Sequence, residues 1–311
     1  MRTLLVVNTF ATTTDESIRK VVSATLSGSL DLTVVHTESR NDATQFAKTA
    51  QAQGYELVIG LGGDGTLNEI ANGLLAAGPN PHGPILAAIP GGNANVFARN
   101  MGFANDPITA TNQLLAAVEN KSIKEIGVGK ITTANLSRWF LFNSGMGLDA
   151  AVLASMESRR ESGKLASDAS YVALGLRELF VRTDRKKPAL SLECETGEVY
   201  CDAHFALIIN LAPWAYLGKG ALNPMPEASH ESALDVYAPT SLSVPAIFRL
   251  VRRAMNGVSV LGDKNVITLQ DQKYIHLKAD RPLWIQVDGD VVAQSSELRA
   301  EHVPNAIRVL A

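Results

Sequence analysis

The stretch Glu56-Leu-Val-Ile-Gly-Leu-Gly-Gly-Asp-Gly-Thr-Leu-Asn-Glu69 runs from a buried β-strand through clustered glycines into a helix. The apolar run predicts the strand, and helical spacing resumes at Leu67. Glycine allows the backbone to approach a ligand closely, and amides at a helix start attract anions. A tight turn without a ligand is the structural alternative. We predict a phosphate site formed by Gly62, Gly63, Asp64, Gly65 and Thr66.

Two common nucleotide motifs do not explain this stretch. Gly60, Gly62 and Gly65 match the spacing of the dinucleotide fingerprint, but the next predicted strand ends in Pro90-Gly-Gly without the required acid. A P-loop is excluded because no Gly-Lys pair is followed by Ser or Thr. An acid among the glycines would repel a bare phosphate, so Asp64 indicates a nearby Mg²⁺ or an acceptor hydroxyl.

Around this stretch, short apolar runs alternate with helical segments as far as residue 121. This alternation predicts an α/β domain over 1–121 with a doubly wound, mostly parallel sheet. From 122 to 311, two helical segments precede many short β-branched or aromatic runs, which predicts an antiparallel β-sandwich-like domain. Ligands of parallel sheets bind at the carboxyl ends of the strands.

A second glycine loop follows the fourth predicted strand, in Ile89-Pro-Gly-Gly-Asn-Ala-Asn-Val-Phe-Ala-Arg99. Asn93 suits the N-cap of the next helix. We expect Gly92, Asn93 and Asn95 to extend the phosphate site, because both loops end neighbouring strands.

Composition narrows the class of protein. The 311 residues are 46% apolar and 19% charged, as in folded globular proteins. The net charge of −3 gives no basic surface for nucleic acid. No apolar run approaches the roughly 18 residues of a membrane span, so we expect a cytoplasmic protein with peripheral membrane contact.

The two glycine loops resemble those of the bacterial diacylglycerol kinase family, which also includes sphingoid-base kinases. Gly-Gly-Asp-Gly-Thr-Leu-Asn-Glu-Ile-Ala-Asn-Gly at 62–73 is close to the family pattern. The segments 142–150 (FNSGMGLDA), 234–236 (LDV) and 287–290 (VDGD) follow in family order. NAD kinases share the Gly-Gly-Asp-Gly-Thr loop, but Asn68-Glu69 and the late acidic element favour the lipid branch.

The resemblance implies ATP and Mg²⁺ as cofactors, with the active site between the two domains. It implies proton acceptance by Asp290 or Asp288, with Asp64 organising the nucleotide, its Mg²⁺ or the base. Besides the two glycine loops, the resemblance implies nucleotide contacts at Asn8, Thr9, Phe10, Ala11, Thr12, Thr37, Leu67, Asn68 and Glu69. Asp288-Gly289 can also be a two-residue hairpin turn.

The sequence departs from the family pattern at three places. Asn8-Thr-Phe-Ala-Thr12 replaces Asn-Pro-x-Ser-Gly, and Asn93 and Val96 replace a threonine and an aspartate in the second loop. Glu231 stands where the family has the aspartate ligand of a structural Mg²⁺. Glutamate can bind Mg²⁺ through oxygen, so Glu231 is the metal-ligand candidate, and retention of that ion is left open.

The resemblance implies a lipid acceptor at the membrane surface and a role in phospholipid biosynthesis. Diacylglycerol is the default acceptor, and a sphingoid base or NAD is the alternative acceptor. A non-catalytic nucleotide-binding regulator is the alternative function.

The segment 243–257 predicts an amphipathic helix with three arginines. Such a helix can lie on anionic lipid, but we expect its apolar residues, including Phe248, Val251 and Met255, to pack on their own domain. Whether the protein forms a homodimer is left open.

Overall fold

The computed structural model describes residues 1–11, 13–161, 168–218 and 220–311. The chain divides into two compact units, one formed by Met1–Val128 with Val303–Ala311 and the other by Gly129–His302. We expected a single boundary near residue 121. The return of the last residues to the first unit is a feature that strand and helix patterns along the chain did not predict.

The first unit alternates strands and helices. Its elements are β1 (Arg2–Asn8), α1 (Glu16–Ser27), β2 (Asp31–Thr37), α2 (Asp42–Ala50), β3 (Leu57–Gly62), α3 (Asp64–Leu74), β4 (Ile85–Pro90), α4 (Val96–Asn100), α5 (Pro107–Glu119) and the start of β5 (Ile123–Thr132).

The second unit is rich in strands. Its elements after β5 are β6 (Ser137–Phe140), β7 (Asn143–Met146), α6 (Leu148–Glu161), α7 (Asp168–Arg177), a π-helical segment (Glu178–Arg182), β8 (Leu190–Cys194), β9 (Val199–Ala203), β10 (Ala206–Ile209), β11 (Ala215–Leu217), β12 (Gly220–Leu222), β13 (Leu234–Pro239), α8 (Val244–Met255), β14 (Val266–Gln272), β15 (Tyr274–Val287) and β16 (Asp290–Leu310).

The first unit contains a parallel sheet in the order β2-β1-β3-β4. The end of β16 lies beside β4, where Val309 pairs in parallel with Leu86. All six residues of β3 and of β4 are buried, as expected for central strands covered on both faces. Helix α1 packs against α5, and α2 packs against α3. Because βαβ crossovers are right-handed in nearly all proteins, this strand order places the two pairs on opposite faces of the sheet, and the predicted doubly wound α/β fold is confirmed.

The helix after β3 starts three residues earlier than predicted. We expected a loop at 62–66 with the helix opening at Leu67. Instead β3 includes Gly62, Gly63 is the N-cap, and α3 begins at Asp64. An acid in the first turn of a helix interacts favourably with the helix dipole, which makes Asp64 a suitable first residue. Gly65 and Thr66 therefore belong to the helix.

The second unit contains antiparallel strands in the order β14-β13-β10-β7-β15. Strand β15 also pairs antiparallel with β16 and β8, and β8 pairs with β9. Two of the short runs that predicted strands, at 274–279 and 283–287, form one continuous strand, β15, with an irregularity between Lys278 and Leu283. The antiparallel part of the predicted fold class is confirmed.

Helix α8 packs on the second unit differently from our expectation. Ala246, Leu250 and Ala254 are buried, but Phe248, Val251 and Met255 are exposed. The expectation that these three larger residues pack inward is therefore wrong, because the stripe formed by Ala246, Leu250 and Ala254 is the one that is buried. In the part of the chain that the structure describes, no helix is both long and apolar enough to cross a membrane.

Candidate active site

The two glycine loops of the first unit lie directly against each other. The Gly91 amide donates a hydrogen bond of 2.8 Å to the Gly62 carbonyl. A Cβ added to Gly92 would lie 2.7 Å from the Gly63 Cα, and one added to Gly91 would lie 3.0 Å from the Gly62 Cα. Gly91 and Gly92 therefore have a packing role of their own, since a side chain on either would push the two loops apart.

Asp64 joins the same two loops through its side chain. Its Oδ2 accepts a hydrogen bond from the Val96 amide at 3.0 Å, and its Oδ1 accepts one from the Phe97 amide at 3.1 Å. Val96 and Phe97 are the first residues of α4, so Asp64 caps this helix from another helix. We expected Asn93 to be the N-cap. That assignment is wrong, because Asn95 occupies the position with a left-handed φ of 49° and makes no side-chain capping bond.

Asn95 instead stabilises the second loop. Its Oδ1 accepts from the Gly92 amide at 2.8 Å, and its Nδ2 donates to the Gly92 carbonyl at 2.7 Å. The same amide group donates to Asn105 Oδ1 at 2.6 Å. Asn93 lies beside it as an exposed residue.

The loop after β1 is tied to this edge of the sheet. Asn8 Nδ2 donates to Thr66 Oγ1 at 2.8 Å, and Thr9 Oγ1 donates to the Thr37 carbonyl at 2.9 Å. The Asn8 carbonyl accepts from the Ala11 amide at 3.2 Å. Phe10 exposes 73% of its surface here. Thr12 lies outside the described residues.

Three of the predicted nucleotide contacts serve the fold of the first unit. Leu67 and Asn68 are buried, and Asn68 accepts hydrogen bonds from Asn72 Nδ2 through its carbonyl and its side chain. Glu69 Oε1 accepts from the Asn41 amide at the start of α2 at 3.0 Å. These contacts run along the side of α3 away from its first turn.

The resulting edge has the chemistry of an anion site. The first amides of a helix lack intrahelical acceptors, and those of Asp64, Gly65 and Thr66 open α3 beside the second glycine loop. The helix dipole adds positive potential there. The structure thus brings together the loops after β1, β3 and β4, as the sequence predicted from the carboxyl ends of parallel strands.

The late acidic element of the second unit is a two-residue hairpin turn. Asp288 and Gly289 connect β15 to β16 with φ values of 46° and 84°. Positive φ at both positions is typical of a type I′ turn, which favours Asp-Gly. The hairpin alternative that the sequence left open is therefore confirmed.

The two acids of this turn differ in environment. Asp288 is buried, and its carboxylate accepts hydrogen bonds from the amides of Leu141, Phe142 and Asn143 at 2.7, 3.0 and 3.0 Å. Asp290 exposes 45% of its side chain and forms an ion pair with Arg138 at 3.5 Å. Asp288 fixes the backbone of its own unit, whereas Asp290 is accessible to a ligand.

A buried polar network that the sequence analysis did not identify supports the turn. Gln286 Oε1 accepts from the Gly289 amide at 3.0 Å, and Gln286 Nε2 donates to Asn143 Oδ1 at 2.7 Å. Gln286 lies near the end of β15, two positions before Asp288. A polar residue within an otherwise apolar, buried strand was the signal in the sequence that could have identified it.

Asp149, at the start of α6, belongs to the same network. It is buried, and no hydrogen-bond partner of its Oδ2 is found among the described residues. Burial raises the pKa of its carboxyl to about 7, and the nearby Gln286 amide group opposes this rise. A Cβ added to Gly145 would lie 3.0 Å from Gln286 Nε2 and 3.1 Å from Asp149 Oδ2. Glycine at 145 therefore leaves the space that these two side chains occupy.

The metal-ligand candidate Glu231 lies away from any such cluster. It is exposed, and its amide donates to Ser229 Oγ at 3.2 Å. Nearby, Asp235 accepts from the Asp271 amide at 3.0 Å, and burial raises the pKa of Asp235 to about 6. Within the ranges that the structure describes, no three His, Cys, Asp or Glu side chains are placed to hold a metal ion.

Comparison with known proteins assigns the family. Residues 2–131 match the diacylglycerol kinase catalytic domain, and residues 144–311 match the YegS C-terminal NAD kinase β-sandwich-like domain. The chain belongs to the diacylglycerol kinase family. The YegS C-terminal domain model alone covers more than half of the chain, the two models together cover nearly all of it, and the predicted resemblance is confirmed.

A curated relative of this diacylglycerol kinase family member is described as a diacylglycerol kinase. Diacylglycerol kinase from Staphylococcus aureus strain JH9 is 36% identical over 105 residues, which is 34% of this chain and 30% of the relative. The match therefore spans less than a third of the relative's length.

Two solved structures share the fold. A diacylglycerol kinase from Bacillus anthracis strain Sterne has a TM-score of 0.73 at 20% identity, over 99% of this chain and 96% of that one. An NAD kinase from Archaeoglobus fulgidus in complex with ATP has a TM-score of 0.51 at 10% identity, over 99% and 93% of the two chains.

Proposed function

We propose that this protein is an ATP-dependent lipid kinase that converts diacylglycerol to phosphatidic acid, as a step of phospholipid biosynthesis. The observation that carries the proposal is the start of α3 beside the second glycine loop, within residues that match a diacylglycerol kinase catalytic domain. Phosphoryl transfer requires mainly positioning and charge stabilisation, and this edge offers both.

The nucleotide would bind at the edge formed by the loops after β1, β3 and β4. The first amides of α3 would donate hydrogen bonds to phosphate oxygens. Asn8 and Thr66, which already contact each other, would line the same site. Asp64 would also position the second glycine loop, because each of its oxygens accepts one amide at the start of α4.

Mg²⁺ would bind as a complex with the nucleotide phosphates. Mg²⁺ usually keeps several waters and is held by one or two carboxylates together with substrate phosphates, so a protein cage of three ligands is not required. When bound, it would neutralise charge on the transferring phosphoryl group. Asp64 is the carboxylate at this edge, whereas the surroundings of Glu231 do not fit a resident structural ion.

Asp290 is the proposed general base. The acceptor hydroxyl oxygen attacks the γ-phosphorus, the bond from that phosphorus to the β–γ bridging oxygen breaks, and ADP leaves. The hydroxyl proton passes to the Asp290 carboxylate. Asp290 is preferred to Asp288 because it is half-exposed, whereas the Asp288 oxygens are engaged by three buried amides. The ion pair with Arg138 would orient the Asp290 carboxylate.

The acceptor assignment rests on the family's catalytic domain and on relatives described as diacylglycerol kinases. A lipid acceptor implies that the protein works as a peripheral protein at the inner face of the membrane. The NAD kinase neighbour shares the fold at low identity, so NAD is the acceptor to be tested against lipids.

The test is transfer of ³²P from labelled ATP to a panel of acceptors, resolved by thin-layer chromatography. The panel contains diacylglycerol, a sphingoid base, a phospholipid with a free hydroxyl and NAD, with Asp290→Asn as the matched control. We expect a labelled product that co-migrates with phosphatidic acid and is absent with the variant. Labelling of NAD alone would assign the alternative acceptor, and no labelling with any acceptor would refute the kinase proposal.

A further inference from the structure

Helix α8 presents an apolar stripe to solvent. Val244, Phe248, Val251 and Met255 are 56%, 72%, 50% and 59% exposed. Their spacing of four, three and four residues places them on one side of the helix. Val258, just beyond the helix, is 49% exposed as well. Large apolar side chains exposed singly are normal, but a contiguous group of them indicates an interaction surface.

The helix itself is firmly anchored. Leu250 packs in a buried cluster with Leu207, Tyr237 and Val260. The guanidinium of Arg249 makes two hydrogen bonds to Asp263, at 3.1 and 3.0 Å, and Arg253 lies 3.4 Å from the same carboxylate. The outer stripe is therefore displayed by a helix whose inner face and orientation are fixed.

The charge around this stripe is opposite to that of the whole protein. Residues 244–264 contain Arg249, Arg252, Arg253 and Lys264 with Asp263 as the single acid, whereas the full chain carries a net charge of −3. Arg252 is exposed and lies next to the apolar stripe on the helix. The combination of apolar and cationic side chains on one exposed face is typical of helices that lie at an anionic lipid interface.

We propose that α8 is the surface by which this protein docks on anionic lipid bilayers. Phe248, Val251 and Met255 enter the boundary between headgroups and acyl chains, and Arg252 contacts lipid phosphates. A second copy of the chain fits less well, because two copies of this face would bring like charges together. The inference deepens the proposed function, since a lipid kinase must reach an acceptor that resides in the bilayer.

The test compares vesicle binding of matched variants by co-sedimentation. Vesicles contain phosphatidylcholine with or without phosphatidylglycerol. For the triple variant Phe248→Ser, Val251→Ser, Met255→Ser, we expect the partition coefficient on anionic vesicles to fall at least about tenfold, given the apolar area removed. Arg252→Glu should lower binding about threefold to tenfold on anionic vesicles only. Val199→Ser, at a residue that is 60% exposed on β9, is the control and should bind normally.

Two measurements separate docking from other effects. All three altered apolar residues are exposed, so the thermal unfolding of the triple variant should match that of the wild type. Phosphorylation of a dispersed short-chain diacylglycerol should be unchanged, whereas phosphorylation of diacylglycerol in vesicles should fall with the partition coefficient. Wild-type binding by the triple variant would overturn the inference, as would self-association of the wild type that the triple variant abolishes.

The outcomes distinguish this inference from the proposed function. Vesicle binding through α8 without phosphorylation of any acceptor would refute the kinase and leave docking intact. Phosphorylation of dispersed acceptor by a wild type that binds no vesicles would refute docking and leave the kinase intact.

Discussion

Asp64 in the first unit and Asp288 in the second both stand next to glycine and both accept hydrogen bonds from backbone amides. Asp64 binds two amides at the start of α4 and so joins the two glycine loops. Asp288 binds three amides at 141–143 and so holds its own hairpin turn. Similar sequence elements therefore act on different parts of the backbone.

The two regions differ in whether one acidic residue or two carry the structural role and the role in the candidate site. In the first unit, Asp64 occupies the first turn of the helix whose amides form the anion site, so one residue serves structure and site together. In the second unit, two residues share these roles. Asp288 is buried and stabilises the fold, whereas Asp290 is half-exposed beside Arg138 and accessible to a ligand. Replacing single residues in the two regions should reveal this division.

Asp290→Asn should have the largest effect. Removal of a general base costs about 10²- to 10⁴-fold in kcat, and the side chain is exposed enough for stability to change little. Steady-state kinetics with diacylglycerol and ATP, together with a denaturant titration, would measure both. The base assignment is wrong if the folded variant keeps normal kcat.

Asp288→Asn should act on stability. An asparagine cannot accept from three amides with the strength of a carboxylate, and its amide group would face a donor, so we expect a loss of about 2–4 kcal/mol. Urea unfolding would measure the loss, and kcat per folded molecule should stay near that of the wild type. Loss of kcat in fully folded Asp288→Asn protein would instead indicate that Asp288 is the base.

Asp149→Asn should remove a pH dependence of stability. The folded-state pKa is raised to about 7, above the unfolded value near 4. Between these values the folded state keeps a proton that the unfolded state has lost, so stability falls as pH rises. The wild type should lose roughly 2–3 kcal/mol from this group between about pH 5 and pH 8.

Urea titrations at these two pH values would compare the Asp149→Asn variant with the wild type. Asp235, whose pKa is raised to about 6, should leave a smaller dependence of the same sign in the variant. Identical pH dependence in both proteins would show that Asp149 is ionised in the fold.

Two glycine substitutions should have smaller and contrasting effects. Gly92→Ala places a Cβ 2.7 Å from the Gly63 Cα, so the glycine loops must separate, at a cost of about 1–3 kcal/mol. Gly289 has open space around it but a φ of +84°, so Gly289→Ala should cost only about 1 kcal/mol. Asparagine tolerates positive φ, so Gly289→Asn should be milder than Gly289→Ala, whereas Gly92→Asn should be worse than Gly92→Ala. Thermal unfolding of the four variants would check this order.

Much of the first unit was predictable because its information is local. Short apolar runs and helical spacing predicted the alternation of strands and helices, and the rule on carboxyl ends of parallel strands placed the glycine loops together. The start of α3 was missed by three residues, because glycines at 62–65 look like a loop until a neighbouring loop packs on them.

The second unit was predicted less completely because its decisive contacts join distant residues. The three amides that bind Asp288 lie about 145 positions earlier in the chain, and Arg138 is similarly remote from Asp290. Gln286 and Asp149 carry polar groups whose importance appears only once both are buried beside Gly145. The stripe on α8 was seen in the sequence, but which side of it would be exposed was predicted wrongly.

Local sequence patterns were sufficient to predict the α/β and antiparallel halves, the two glycine loops and the Asp-Gly turn, because periodicity and turn chemistry act over a few residues. Three further features appear only in the folded chain. They are the burial of Asp288 against three backbone amides, the capping of α4 by a side chain of α3, and the exposure of the apolar stripe on α8. These features depend on packing and hydrogen bonds between segments far apart in the chain, whose free energies no local pattern contains.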